Sequence, residues 1–398
     1  MGRVIRPVLA VLCALTLAGC VTPGFVGGEK TIRALFAQNN LERTIDFVTT
    51  RCNYAQNAGA PGSAEELYRK RCWEAARGDK ELVRLGYGMA DAGAVNCGTA
   101  RVTVARAADE RGVLTTVDTP APKACDYAEL RRRILQTACK CALIVVHGYN
   151  TTFGYGLRRT AQLSLDVASP GVYDPLPILF SFAAGGRFND YVNDVEAAEL
   201  SVPALHQLLL ALSSSGTNGA PNIDVVAHSM GSRIALRAMT EGDAPALRYV
   251  VTAAPDVDPS AFLRLAEKAA PRLKRLTIYT AEYDVAISAS AGAHAGWART
   301  GAGLPPSVVT AVANTDLIDA TLRASDGDPY AHSYFAESDD VLKDLALALQ
   351  GNTTAARSAW LKCETSGVAT TCKIKCPDDK SCGPTLYQRL VHWLFDWM

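Results

Sequence analysis

The sequence predicts a layered α/β domain on a mostly parallel sheet with helices on both faces, and three observations predict it. Short runs rich in Val, Ile and Leu recur through the chain: "RVTVAR", "ALIVVHG", "PILFSF", "IDVVAHS", "LRYVVTAAP" and "RLTIYTAE". Most of them do not alternate apolar with polar residues, as expected of strands buried on both faces. Longer segments with helical spacing separate them, which is the order that gives crossover connections and parallel strands.

Taken in order, the chain opens with Arg3 and Arg6, an apolar run from Val8 to Leu17, and then Leu17-Ala18-Gly19-Cys20. The run is about half of the roughly 20 residues that a membrane span needs, so it reads as the core of a secretory signal over residues 1–19. Its end resembles the lipobox of bacterial lipoproteins, which implies acylation of Cys20. Val21 follows in place of an Asp, and by the same resemblance this implies the outer membrane, with the protein facing the periplasm. No other stretch reads as long and apolar enough to span a bilayer.

Residues 20–80 are expected to form a tether and a helical extension, from "TIRALFAQNNLERTIDFV" and "SAEELYRKRCWEAAR" around the breaker "NAGAPGS". Residues 81–350 hold the α/β domain. Helices are expected at "GYGLRRTAQLSLDVA", "YVNDVEAAELSVPALHQLLLAL" with a kink at Pro203, "SRIALRAMT", "PSAFLRLAEKAA" and "SDDVLKDLALAL". A further strand is expected at "SVVTAV". Residues 351–398 read as a loop-like, cysteine-rich extension ending in the aromatic "TLYQRLVHWLFDWM", which is expected to dock on the domain.

Without residues 1–19 the chain carries 38 basic and 40 acidic side chains and has no basic run, which argues against a nucleic-acid partner. Of twelve cysteines, Cys13 leaves with the signal and Cys20 takes lipid. The other ten form two even groups, Cys52, Cys72, Cys97, Cys125, Cys139 and Cys141, then Cys363, Cys372, Cys376 and Cys382. An oxidising compartment favours disulfides within each group over a thiolate metal site, since no Cys-x-x-Cys knuckle is present.

The segment Ala227-His228-Ser229-Met230-Gly231 is a small-x-Ser-x-small nucleophile elbow between a strand and a helix. In an open parallel sheet ligands bind beyond the carboxyl ends of the strands, where Ser229 falls. A serine is a weak nucleophile until a base takes its proton. His332, in the polar loop "DGDPYAHSYFAES", is the candidate base; His294 lies in a Gly- and Ala-rich segment that looks mobile, and His392 in the aromatic tail. Asp284, after "LTIYT", is the candidate carboxylate that orients the imidazole. Asp256 and Asp258 compete, but Asp258 before Pro259 reads as a helix N-cap. The oxyanion donors expected are the backbone N–H of Met230 and, from the loop "VVHGYNTTF", that of Tyr149 in preference to Asn150. His147 is expected to be structural or pocket-lining. His228 is not expected to serve as base, because neighbours on a strand point to opposite faces.

Six segments in the right order, "HGYNTTFGYGLRRTAQLSLDV", "ILFSFAAGGRFNDYVNDVEAAELSVPALHQLL", "DVVAHSMGSRIALRAM", "TAAPDVDPSAF", "IYTAEYDVAISAS" and "AHSYF", resemble a bacterial α/β-hydrolase family of unknown function with a His-Gly-Tyr-Asn motif. That family is usually labelled as an esterase or lipase superfamily. The resemblance covers about residues 95–350 and implies the α/β-hydrolase fold, with Ser229, Asp284 and His332 matching the family's serine, aspartate and histidine. Where the family commonly has Phe-Ser-Trp-Pro-Ser, this chain has Phe180-Ser181-Phe182-Ala183-Ala184. The expected activity is hydrolysis of an acyl ester or lipid through an acyl-enzyme, with no metal or cofactor. A thioesterase, amidase or acyltransferase would use the same residues. The competing class is a non-catalytic envelope lipoprotein that keeps the fold as a scaffold.

Overall fold

A computed structural model of the chain describes residues 33–34, 41–53, 87–90, 95–106, 112–118, 123–185, 190–214, 219–304, 312–326, 328–366, 369–376 and 382–396. The leader with Cys20 and the expected helix "SAEELYRKRCWEAAR", which carries Cys72, lie outside these residues. The described residues fall into two compact units, Lys30–Leu247 and Arg248–Met398.

The first unit contains strands β1 (Arg33–Ala34), β2 (Leu41–Thr49), β3 (Arg51–Asn53), β4 (Tyr87–Ala90), β5 (Asn96–Arg106), β6 (Gly112–Asp118), β7 (Lys123–Ala124), β8 (Cys141–Val146), β9 (Leu176–Ser181) and β10 (Asn222–His228). Its helices are α1 (Tyr127–Gln136), α2 (Phe153–Asp166), α3 (Tyr191–Ser213) and α4 (Met230–Ala238). The sheet order is β1-β6-β5-β2-β9-β8-β10. Pairing is antiparallel from β1 to β2 and parallel from β2 to β10. All of β8 is buried, as its unbroken apolar run predicts. Because β8 lies between β9 and β10, the strand order reverses there, and such a switch point opens a crevice beyond the carboxyl ends.

The expected N-terminal helix over residues 31–48 is corrected by β2. "LERTIDFVT" combines β-branched and aromatic residues, and Ile45, Asp46, Phe47, Val48 and Thr49 are all buried. This strand lies between β5 and β9, so it covers the edge that β9 would otherwise present to solvent. Pairing on both sides outweighs the helical spacing that the same letters allow. Phe47 meets Phe153 of α2 edge to face at 5.1 Å, and Arg133 of α1 pairs with the buried Asp46.

α3 runs through Pro203 and is long and apolar enough to cross a membrane by length and composition, where the sequence suggested none beyond the leader. Half of it is buried, and it packs on α4 and β10 as a core helix.

The second unit contains β11 (Leu247–Ala253), β12 (Leu273–Thr280), β13 (Thr315–Asp319), β14 (Leu361–Ser366) and β15 (Ala369–Ile374). Its helices are α5 (Pro259–Ala269), α6 (Val285–Ala293), α7 (Tyr334–Glu337), α8 (Asp339–Leu349) and α9 (Leu386–Asp396). The order is β11-β12-β13-β15-β14; β12, β13 and β15 run parallel, and β14 returns as a hairpin. The strand expected at 307–312 falls on residues of which 307–311 lie outside the described set; a strand, "TDLID", follows just downstream. The tail expected to be loop-like is this hairpin and α9, because "LKCETS" and "ATTCKI" pair residue for residue and β15 extends the sheet beside β13.

A buried polar network fixes the hairpin's approach. Arg357, fully buried, donates to Asp344 at 2.7 Å and to Asp316 at 3.0 Å, while Tyr279 Oη and Trp360 Nε1 also donate to Asp344. Disulfides join Cys97 to Cys125, Cys139 to Cys141, Cys363 to Cys372 and Cys376 to Cys382, all within the two groups the sequence defines.

Because β2 is a core strand, Phe47→Ala should lower the free energy of unfolding by about 3–5 kcal/mol. Urea denaturation measures this; a loss below about 1 kcal/mol would place Phe47 at the periphery, as in a surface helix.

Candidate active site

Ser229 ends β10 with φ 52° and ψ −121°, a conformation that side chains rarely adopt, and it is 4 % exposed. Strain of this kind persists only where the surroundings enforce it. Here two glycines let the backbone close in. A Cβ on Gly231 would lie 2.4 Å from the His147 carbonyl oxygen and 2.6 Å from that of Val146, so α4 starts directly against the end of β8. A Cβ on Gly148 would lie 2.8 Å from Ser229 Cβ, which puts the His-Gly loop against the serine. Ser229 precedes α4 but makes no side-chain capping bond, so its hydroxyl is not consumed by the helix end. The helix N-terminus behind it favours negative charge.

The loop after β8 is held from several sides. Asn150, at φ 54°, donates its N–H to Asp194 at 3.1 Å, and Gly185 N–H donates to the other oxygen of Asp194 at 2.7 Å. Burial, against these two bonds, raises the Asp194 pKa to about 6. The Asn150 N–H is therefore already engaged, which favours Tyr149 between the two candidates for the second oxyanion donor. The Tyr149 ring packs edge to face on Tyr191, and burial first, with Asp194 and Asp190 second, raises its phenol pKa.

His147 is structural. Its Nδ1 lies 2.9 Å from the Gly148 carbonyl oxygen and its Nε2 3.2 Å from Ser181 Oγ, and the ring stacks on Phe182 at 4.4 Å. Burial and then the charge of Arg51 depress its pKa to about 3, so the imidazole is neutral. Arg51 is 1 % exposed and donates to Ser181 Oγ, the Ala184 carbonyl and the Thr151 carbonyl at 3.1, 2.8 and 3.0 Å. The departure from the family pattern at Phe182, Ala183 and Ala184 is thus buried, with Phe182 stacked on His147. Arg51 and Asp194 escaped sequence reasoning, since nothing local distinguishes either from a surface charge.

In the second unit Asp284 is fully buried and N-caps α6, accepting from Ile287 N–H at 3.0 Å through Oδ1. Its Oδ2 accepts from His332 Nδ1 at 2.8 Å. Burial raises the Asp284 pKa against the opposing His332 interaction. Burial would lower that of His332, but the charge and hydrogen bond of Asp284, with Asp328 and Asp256 behind them, carry it above the ordinary value. With Nδ1 donating to the carboxylate, the neutral ring presents an unprotonated Nε2. His332 sits after Ala331 at φ 53°, and Asp328 fixes this turn by accepting from the N–H groups of Tyr330, His332 and Ser333 at 3.1, 2.8 and 2.6 Å. Asp328, too, was missed, although Asp-Pro within the loop is a turn signal.

The competing acids have other roles. Asp258 caps α5, accepting from Ala261 N–H at 2.9 Å with Pro259 at the first helical position, as expected. Asp256 is bound to Arg299 at 2.7 Å and to Ser290 Oγ at 2.6 Å. His294 caps the C-terminal end of α6, and its Nδ1 lies 2.8 Å from the Ser290 carbonyl oxygen. The rings of His392 and Tyr283 pack edge to face. Ser229, Met230 and Tyr149 thus lie together in the first unit, and Asp284 and His332 together in the second.

A mostly parallel sheet with a strained serine after one strand, and an aspartate–histidine pair after later ones, defines an α/β-hydrolase scaffold. The chain belongs to the family described as alpha/beta hydrolase of unknown function (DUF900), whose model matches residues 123–350. Searches of curated proteins and of solved structures returned no match.

Because the Gly231 clash is with backbone, Gly231→Ala should destabilise the protein by about 1–3 kcal/mol. Chemical denaturation of the variant and wild type provides the check; equal stability for Gly231→Ala and wild type would contradict the close approach of α4 to β8.

Proposed function

We propose that the protein is a serine hydrolase, a carboxylesterase or lipase-like enzyme that works through Ser229, His332 and Asp284. The observation that carries this reading is the backbone of Ser229, held in a rare conformation at the end of β10 with its hydroxyl unused by the helix behind it. The bonded pair of Asp284 and His332 supports it.

In the proposed reaction Ser229 Oγ attacks the ester carbonyl carbon while His332 Nε2 takes the hydroxyl proton. Asp284 holds the ring's tautomer and stabilises the imidazolium. The carbonyl oxygen gains the electron pair, and the N–H groups of Met230 and Tyr149 receive the negative charge. Collapse expels the alcohol, which takes the proton back from His332 and leaves an acyl-Ser229 ester. Water, deprotonated by His332, releases the acid and restores the serine. We further propose that acylated Cys20 tethers the enzyme to the outer membrane, facing the periplasm, where acyl esters or lipids are its substrates. One acyl chain binds a bilayer only marginally, so the anchor requires more than one.

A panel of 4-nitrophenyl esters and thioesters of graded acyl length tests the activity. Wild type should turn over at least one member, with Ser229→Ala flat and Asp284→Asn reduced on the order of 10⁴-fold. A flat result for wild type as well would favour the scaffold reading. Because the His332 pKa is raised and the base must be neutral, kcat/KM should fall as pH drops through an apparent value above 6.5. An acid limb below 6.5 would contradict the Asp284 pairing. For the anchor, Cys20→Ser should release the protein from the membrane fraction; a wild-type N-terminal peptide with no lipid mass would refute it.

A further inference from the structure

The tail beyond residue 350 lies outside the segment that the family model matches, yet it reaches the loop that carries His332. β15 pairs with β13, whose end at Asp319 leads into this loop. The Cys376–Cys382 disulfide then returns the chain to the loop itself, where Gly383 N–H donates to the Leu322 carbonyl at 3.0 Å and Arg323 Nη1 lies 3.3 Å from Cys382 Sγ.

Gln388, on α9, is fully buried, and its amide is matched group by group. Its Oε1 accepts from Ser325 Oγ at 2.7 Å and from Thr385 N–H at 2.8 Å, while its Nε2 donates to the Pro329 carbonyl at 2.9 Å. Pro329 opens the turn whose Asp328 carboxylate holds the His332 N–H. The next carbonyl, that of Tyr330, accepts from Val285 N–H at 2.9 Å, which joins the turn to the start of α6 beside Asp284. α9 also packs on α6, and His392 meets Tyr283 there with ring centroids 4.9 Å apart.

We propose that Gln388 is a positioning residue for His332, and that the disulfide-closed tail is a brace setting the geometry of the Asp284–His332 pair through the Pro329 turn. This rests on the hydrolase reading for its catalytic consequence, but not for its structural one. A buried amide bonded on both sides is costly to disturb, and a small shift in a base's position is expensive in rate. Only an amide supplies a donor to the Pro329 carbonyl and an acceptor to Ser325 at that distance. A side chain of equal length without polar atoms leaves the Pro329 carbonyl unmet and frees the turn to move. The charges acting on the His332 ring come from Asp284, Asp328 and Asp256, so a slackened turn moves the ring out of the field of its nearest carboxylate.

The test is Gln388→Met in the full chain, with two readouts. With 4-nitrophenyl acetate as probe, kcat should fall by 10- to 100-fold with KM within about twofold of wild type, since the defect lies in the base and not in the binding surface. The NMR titration midpoint of His332 should fall toward the ordinary histidine value as the Asp284 bond loosens. A purely structural role would lower the melting temperature and leave the midpoint where it is; that outcome, or a folded variant with unchanged kcat and midpoint, overturns the proposal. If wild type hydrolyses nothing, the hydrolase reading fails separately and the His332 midpoint alone decides the brace. If Gln388→Met does not fold, Ser325→Ala, which removes one bond to the Gln388 amide, is read in the same way.

Discussion

A carboxylate taken fully out of water must be met on both oxygens, and the second unit is organised around meeting those of Asp284. One oxygen takes the Ile287 N–H at the start of α6 and the other takes the His332 ring. The first bond is an ordinary helix cap, of the same kind that Asp258 supplies to α5. What separates the two aspartates is the second oxygen. For Asp258 the cap explains its place in the sequence; for Asp284 the cap also fixes a carboxylate at the depth where an imidazole can be oriented. The turn that delivers the imidazole is in turn set by three backbone N–H groups on Asp328. Polar groups in this unit are thus satisfied in sequence, from the helix end to the ring and back to the turn.

The first unit meets a different constraint. Its serine occupies a backbone conformation that costs of order 1–3 kcal/mol, so the surroundings must hold it there. Two glycines permit the support: without a side-chain carbon, Gly148 lets the His-Gly loop lie against Ser229, and Gly231 lets α4 start against the end of β8. Behind them, the neutral His147, Ser181 and the buried Arg51 bind the loops after β8 and β9 into one hydrogen-bonded layer. Arg51 comes from a strand far upstream of the family's matched segment, so this layer depends on the N-terminal part of the chain.

Much of this was legible in the sequence, for physical reasons. Runs such as "ALIVVHG" are too short and too uniformly apolar to be anything but buried strands when helices follow them. The elbow announces itself because small residues must flank the serine, and the Asp258-Pro259 cap because proline suits the first helical turn. Asp284 and His332 were picked out by chain order after a strand, and the structure joins them at 2.8 Å. Residues 41–49 were misread because Ile45, Phe47 and Val48 fit a helical stripe and a strand equally well; partners on both sides decided it, and those are remote in sequence. Arg51, Asp194 and Gln388 went unnoticed because their partners lie in loops remote in sequence, which leave no trace in local spacing, whereas Asp328 binds its own turn and left only the Asp-Pro signal.

The most direct measurement for the central proposal, that Ser229 is a nucleophile activated by His332, is reaction with a fluorophosphonate probe followed by peptide mapping. An ordinary serine without a base reacts negligibly with such a probe. The expected result is a single phosphonylated site at Ser229, formed rapidly in wild type and lost in folded His332→Gln. Labelling of folded Ser229→Ala at the wild-type rate, or an adduct on Ser229 that forms equally fast without His332, would contradict it.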